Sequence, residues 1–398
     1  MSAKGERTPI LLLPPGPEAA LIRLAACWPA SPAPSLLADL MATVDGGKLL
    51  EMALEHRLVP PLVRMLTAGG LTPPPALRDA EREAAMRGLR QTATTLALLK
   101  RLEEVGCRTL VLKGQALSVQ LYGRQDIRTS NDIDLMIDPS KAVAAHQVMI
   151  AEGFVPRYPV PIDQLSLTTK DQIYDGATGL VELHWRLFDN SALLPWDFET
   201  LWADRELVTL SGDWQVPTLR RDRHLLYQTL HGLLHGWTRL RWLADLAVPL
   251  QRIDDMERVI DLAGHSRMIP VIVHAMGLAR DLLGVEPAIP IAVTPHQNAI
   301  ARSIDRQVAS LARTRNTVGY EVFGGWFRRR LAEKRLILLV CPDGKAIWGE
   351  LHSSLIGVGD LIDVRLPRSL TWLYVLLRPL LLLRRMLARA IGVKRKNL

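Results

Sequence analysis

Two aspartates two residues apart, Asp132 and Asp134, stand in the run DIDLMID (132–138) among Ile133, Leu135, Met136 and Ile137. Acidic and aliphatic residues alternate there with the period of a β-strand. Read as a strand, Ile133, Leu135 and Ile137 share one face, and Asp132, Asp134, Met136 and Asp138 share the other. The two carboxylates then project side by side, with Cα atoms roughly 7 Å apart. Their repulsion is costly unless a cation lies between them. Magnesium takes hard oxygen ligands and is commonly held by one or two carboxylates together with substrate phosphates. Asp132 and Asp134 are therefore candidate metal ligands for phosphate chemistry. The same spacing also occurs on solvated strand edges, so the neighbouring residues decide. Asp138, just before Pro139, reads as a strand end.

Three neighbours bear on that choice. LVLKG (110–114) is a buried-type strand running into Lys113 and Gly114 and then a helix. A helix N-terminus offers free N–H groups to phosphate, glycine permits close backbone approach, and lysine adds a point charge. The plain alternative is a strand-to-helix turn. RTSN (128–131) places Arg128 and the small polar Ser130 directly before the acids. Arg128 either holds a triphosphate or pairs with an aspartate such as Asp126 or Asp138. In LVELHWRL (180–187), Val181, Leu183, Trp185 and Leu187 face one way and Glu182, His184 and Arg186 the other. If this strand lies beside the first, Glu182 is a third carboxylate. It could then share in metal binding or act as base toward an acceptor hydroxyl; otherwise it lies on a solvated face. His184 reads as a hydrogen-bonding support for the acids.

The elements that must position these groups follow from periodicity and punctuation. Residues 1–105 read as an N-terminal helical region broken by LLLPPGP, WPASPAPS and LTPPPAL, with a long helix from about Ala76 to Val105 and Gly106 at its stop. Residues 106–220 mix short strands with helices: TLVLK, GQALSVQLYG, DIDLMID, PSKAVAAHQVMIAEGF, then QLSLTTKDQIYD and GLVELHWRLF around a turn at 175–178. That mixture predicts an α+β class with a small mixed sheet as the core. Residues 221–320 return to helical spacing, with a Pro-rich connector at 285–297, and 321–398 form a basic, partly hydrophobic C-terminal region.

The charge is uneven. The chain of 398 residues carries a net +8, yet residues 321–398 alone hold 15 Lys/Arg and 6 Asp/Glu, leaving −1 for the rest. Specific nucleic-acid binding is not predicted; a basic tail is. Three scattered cysteines without CxxC give neither a disulfide framework nor a zinc ribbon, which points to a reducing cytoplasm. The ILLL run at 10–13 is too short for a signal-peptide core.

Other motifs carry less. His231 and His235 share a helix face, but Gly232 stands where a metalloprotease has glutamate. Arg241 and Asp245 are i, i+4 neighbours, by default a structural pair. TWLYVLLRPLLLL (371–383) is too short and too broken by Arg378-Pro379 for a comfortable span. With the basic residues up to Lys396 it suits an anionic membrane surface, the body of the protein or an acidic partner.

VLKGQALSVQLYGRQDIRTSNDIDLMID, then VELHWRL and HGLLHGWTRLRWLADL, together resemble the uncharacterised bacterial nucleotidyltransferases related to the DNA polymerase β-like superfamily, over about 95–250. Lys113, Gly114, Arg128, Asp132, Asp134, Glu182, Leu183, His184 and Trp185 fall on the family pattern, as do His235, Arg241, Trp242 and Asp245 in the helical part. Gln115 departs from the Gly-Ser or Gly-Gly usual in the superfamily. The resemblance implies a sheet carrying metal ligands Asp132, Asp134 and Glu182, with Lys113, Gly114, Arg128 and Ser130 on the nucleotide. His184, His235, Arg241 and Asp245 would support them. It implies Mg²⁺ (with Mn²⁺ as the alternative) and a nucleoside triphosphate such as ATP. The activity implied is transfer of a nucleoside monophosphate to a hydroxyl of a peptide, protein or small molecule, in natural-product or cell-surface biosynthesis. The rivals are a non-catalytic nucleotide-binding scaffold and a phosphotransferase using the same metal site. The expected location is the cytoplasm, with a peripheral position at the inner face of the membrane left open.

Overall fold

The computed structural model describes residues 13–265, 267–316, 323–341 and 343–390. Five helices come first: α1 (Pro17–Ala26), α2 (Pro34–Thr43), α3 (Gly46–Glu55), α4 (Val59–Ala68) and the long α5 (Pro75–Glu104). Their starts follow local chemistry. Asp45 caps α3 by accepting from Gly47 N and Lys48 N at 2.9 and 3.0 Å. Pro60 and Pro61 open α4, where their missing N–H groups cost no helix bond. α5 ends at Glu104, and the chain turns at Gly106, whose φ of +68° is a conformation that favours glycine.

The mixed region follows as β1 (Thr109–Val111), α6 (Gly114–Tyr122), β2 (Asp132–Ile137), α7 (Ala142–Ala151), β3 (Val155–Pro156), α8 (Ile162–Leu165), β4 (Asp171–Gly176), β5 (Gly179–His184), α9 (Phe198–Ala203), β6 (Glu206–Ser211) and β7 (Trp214–Thr218). Helices then resume: α10 (Arg221–Leu234), α11 (Leu240–Leu250), α12 (Ile253–His265), α13 (Ile269–Leu283), α14 (Pro295–Asn316), α15 (Phe323–Val340), α16 (Gly344–Leu355), α17 (Val358–Asp363) and α18 (Leu373–Ala390).

The seven strands form one sheet in the order β3-β4-β5-β2-β1-β7-β6. The pairs β2/β5 and β1/β7 are parallel and the others antiparallel. The class is α+β with a mixed sheet, as the alternation of short strands and helices predicts. β2 lies at the centre, and from Ile133 to Ile137 it is buried on both faces. Leu135, Ile137, Val181 and Leu183 make the aliphatic side of the sheet, each with no exposed surface. Two departures from the expected elements matter. QLSLTT does not extend β4 but turns through α8, and Trp185–Phe188 leave the sheet after His184. The hairpin β6–β7 has no counterpart among the expected elements.

The chain divides into two compact units. One comprises Met1–Leu89, Gln115–Thr129 and Arg220–Pro342; the other comprises Arg90–Gly114, Ser130–Leu219 and Asp343–Leu398 and contains the whole sheet.

Candidate active site

The acidic face of the sheet is set by register. In the parallel pair β2/β5, Asp134 stands opposite Glu182, Asp132 opposite Leu180 and Met136 opposite His184. Side chains directly opposite each other share a face, and a period of two puts His184 on the face of Glu182. One carboxylate oxygen from each of Asp134 and Glu182 and one ring nitrogen of His184 lie within 4.8 Å of one another. His184 Nε2 is 3.3 Å from both Asp134 Oδ1 and Glu182 Oε2. The imidazole is fully buried, and neither ring nitrogen makes a hydrogen bond to any described residue.

Two lysines complete the cluster. Leu112 N donates to Asp134 O at 3.0 Å, so the chain leaving β1 is still tied to β2 at the acid. The next residue, Lys113, then donates from Nζ to Asp134 Oδ1 at 3.0 Å. Lys170, at the start of β4, pairs with Asp171, and its Nζ lies 3.7 Å from Glu182 Oε2. Asp171 stands opposite His184 in the β4/β5 register, 3.8 Å from His184 Nδ1. Lys170 and Asp171 are members of the cluster that pattern alone does not single out. The available signal is their adjacency at the head of a strand pairing with LVELH. Ser130 Oγ donates to Asp132 Oδ1 at 2.6 Å, while Gln91 Nε2 holds Ser130 O at 3.2 Å.

Burial and charge pull these groups in opposite directions. Burial, reinforced by the charge of Asp134, raises the pKa of Asp132. Burial would raise Asp134 too, but Lys113 and His184 outweigh it and hold that carboxyl well below its ordinary range. Glu182 is likewise lowered, because His184 overcomes burial and the repulsion of Asp134. For His184, burial and Lys170 favour the neutral ring, yet the flanking Asp134 and Glu182 carboxylates raise its pKa. The cluster is thus balanced by cations on flexible stems and by the imidazole.

Gly114 follows Lys113 with φ +61° and opens α6. A Cβ there would meet open space, so the backbone conformation, and not crowding, requires glycine. The remaining expected residues lie in the other unit. Arg128, 8% exposed, donates from Nε to Asp245 Oδ2 at 2.7 Å. Arg241 Nε lies 3.1 Å from Asp245 Oδ1, and its Nη1 donates to Ile127 O at 3.3 Å. Two buried guanidiniums therefore share one buried carboxylate. His235 stacks on Trp242, with ring centroids 5.4 Å apart. The structure thus brings Lys113, Asp134, Glu182 and His184 together and places Ser130 on Asp132. It gathers Arg128, Arg241 and Asp245 into a second cluster.

The donor set suits a cation. A fully buried imidazole whose nitrogens lack hydrogen bonds sits between two carboxylates, and such groups are stabilised when they coordinate a metal. Two carboxylates and one imidazole mix hard oxygen with nitrogen, a donor set that could hold a divalent metal ion.

The family described as "Uncharacterised nucleotidyltransferase" matches residues 42–284, more than half of the chain. A similar solved structure is that of an antigenic nucleotidyltransferase-like protein from Paracoccidioides brasiliensis, 13% identical. It covers 50% of this chain and 94% of its own, with a TM-score of 0.30. No curated protein matches.

Proposed function

The chain belongs to the uncharacterised nucleotidyltransferase family, and on that premise we propose that it moves a nucleoside monophosphate from a nucleoside triphosphate to the hydroxyl of a peptide, protein or small molecule. The observation that carries this reading is the parallel register of Asp134 with Glu182, with the buried ring of His184 against both carboxylates. Asp134, Glu182 and His184 would hold a divalent ion, with Asp132 two residues earlier on the same strand. Such an ion, when bound, neutralises phosphate charge and aligns the reacting oxygens.

In this reading the chain's own groups have distinct tasks. Lys113, which shares Asp134 in this structure, turns its ammonium to the β- and γ-phosphates, and Gly114 lets the backbone at the head of α6 approach them. Ser130 keeps Asp132 oriented. The acceptor oxygen attacks the α-phosphorus, the bond from that phosphorus to the α–β bridging oxygen breaks, and pyrophosphate leaves. The hydroxyl proton passes to a carboxylate of the cluster, a task this reading gives to Glu182. Most of the acceleration comes from positioning and charge stabilisation.

The test is transfer from α-labelled against γ-labelled ATP, GTP, CTP and UTP, with Mg²⁺ or Mn²⁺ and an extract as acceptor source. Label from the α-phosphate on an acceptor is the expected result. Label only from the γ-phosphate makes the protein a phosphotransferase. Tight nucleotide binding with no transfer makes it a scaffold.

A further inference from the structure

The C-terminal helix is amphipathic in the inverted sense. α18 runs through Pro379 from Leu373 to Ala390, and it turns its polar side inward. Arg378 and Arg385 both pair with Asp360, whose side chain is fully buried. Arg385 Nε also lies 3.4 Å from Asp363 Oδ2, and Arg384 Nη2 3.0 Å from Asp363 Oδ1. Tyr374 faces the same way, donating from its hydroxyl to Val364 O at 2.7 Å. The outward side carries Leu376, Leu380, Leu383 and Leu387, spaced four, three and four apart, with Val375, Leu382 and Met386 along one margin. Leu376 and Leu380 are each 65% exposed. Trp372, just before the helix, is exposed as well.

α16, in contact with α18, adds to this surface. It is anchored by Asn190 Nδ2, which donates to Ala346 O at 2.9 Å and Glu350 Oε1 at 3.0 Å. That leaves Ile347, Trp348, Leu351 and Leu355 exposed at helical spacing.

The charge pattern selects what covers such a face. All four acids of residues 343–390 are engaged: Asp343 caps α16 through Ala346 N, Glu350 is buried on Asn190, and Asp360 and Asp363 hold arginines. Lys345, Arg365 and Arg368 are exposed on the same segment. The sequence beyond the described residues adds Lys394, Arg395 and Lys396. A second copy on this face would set like charges against each other without a compensating acid. An anionic bilayer offers both an acyl boundary for leucine and tryptophan and phosphate charge for the rim. Among the described residues no helix is long and apolar enough to cross a membrane, so α18 would lie in the interface.

We propose that the α16–α18 face docks the protein peripherally on an anionic lipid bilayer. This rests on the C-terminal segment alone and stands or falls independently of the acid cluster. The test is flotation of the full chain with vesicles of phosphatidylcholine alone or mixed with phosphatidylglycerol. The protein is expected to float with the mixed vesicles, weakly with phosphatidylcholine, and less as salt rises. Leu380→Asp with Leu383→Asp should lower the bound fraction roughly tenfold, because charge replaces apolar insertion. Both side chains are exposed, so the circular dichroism spectrum should be unchanged. Arg365→Glu with Arg368→Glu should abolish most of the preference for phosphatidylglycerol. Absence of flotation with mixed vesicles, or flotation unaffected by the leucine pair, overturns the proposal. So does a wild-type dimer that the leucine pair turns into a monomer, which would assign the face to a second copy.

Discussion

The two units each bury an ionic cluster, and the clusters are built to opposite rules. Around Asp134 the carboxylates are in excess, and the cations answering them are lysines on flexible stems and one imidazole. Around Asp245 the guanidiniums are in excess, and one carboxylate answers both. Lysine is a mobile point charge that can change partners at little geometric cost, whereas the planar fork of arginine fixes its partner. The arginine cluster also ties down chain: Arg241 holds Ile127 O, Ser118 Oγ donates to Arg124 O at 2.6 Å, and Arg128 N donates back to Ser118 Oγ at 3.1 Å. The difference teaches that a buried charge network is not one kind of object. The acid cluster can be remade around a ligand; the arginine cluster holds the segment between α6 and β2.

The largest effect expected from that contrast is on transfer. Asp134→Asn should reduce α-label transfer by at least ~10³-fold, about 4 kcal/mol of transition-state stabilisation. Its melting temperature should fall, because Lys113 and His184 lose the carboxylate they stabilise, but by less than in the converse case, since the repulsion between Asp134 and Glu182 goes with it. Wild-type transfer rates in this variant would remove Asp134 from the site. Asp245→Ala is the converse. It leaves two arginines buried without their carboxylate, at a cost of about 3–5 kcal/mol, read by thermal or urea denaturation. Equal destabilisation by the two substitutions would erase the distinction between the clusters.

Smaller effects sharpen it. Lys113→Met should slow transfer by about a hundredfold, while Lys113→Arg should recover only part of the loss because the fork is wrong for a single charge. Full recovery would mean that Lys113 serves only as a structural counter-ion. The smallest effect lies at the far end of β2. Asp138 accepts from Ser140 N at 3.0 Å and pairs with Arg108 at 2.5 Å. Burial would raise its carboxyl, but Ser140 and Arg108 outweigh burial and lower it. A carboxyl lowered on folding stabilises above its unfolded-state pKa and loses that contribution as pH falls through the folded value. Asp138→Ala should therefore cost about 1 kcal/mol at neutral pH. The gap to wild type should shrink on acidification below the ordinary aspartate range, and a gap independent of pH would refute this account.

Local pattern carried much of this and stopped at identifiable points. DIDLMID and LVELH show their faces because strand period and β-prone residues agree there, and β2 and β5 follow those runs closely. That the strands are parallel neighbours is not local information: the register joins Asp134 to Glu182 across α7, β3, α8 and β4. Arg128 illustrates the same limit. The aspartates near it in sequence, Asp126 and Asp138, take other arginines, and its partner Asp245 is 117 residues away. The β6–β7 hairpin was readable in principle. LVTL and WQVP flank Gly212, whose φ of +52° makes the turn, but neither run shows clean alternation. α18 runs on through a proline because its stability comes from the arginines fastened to Asp360 and Asp363, which hydropathy does not display.

The parallel pairing of β2 with β5 also has a consequence in time. The chain must make the strand with Asp132 and Asp134 about fifty residues before it makes Glu182 and His184. Parallel neighbours cannot zip up through a tight turn; loop closure must precede the contact, which makes such pairing slow. A growing or partly folded chain therefore carries an acid pair but no complete cation site. Full ion-binding competence should arise only once β5 pairs with β2, so ion affinity measured during refolding would report formation of that pair.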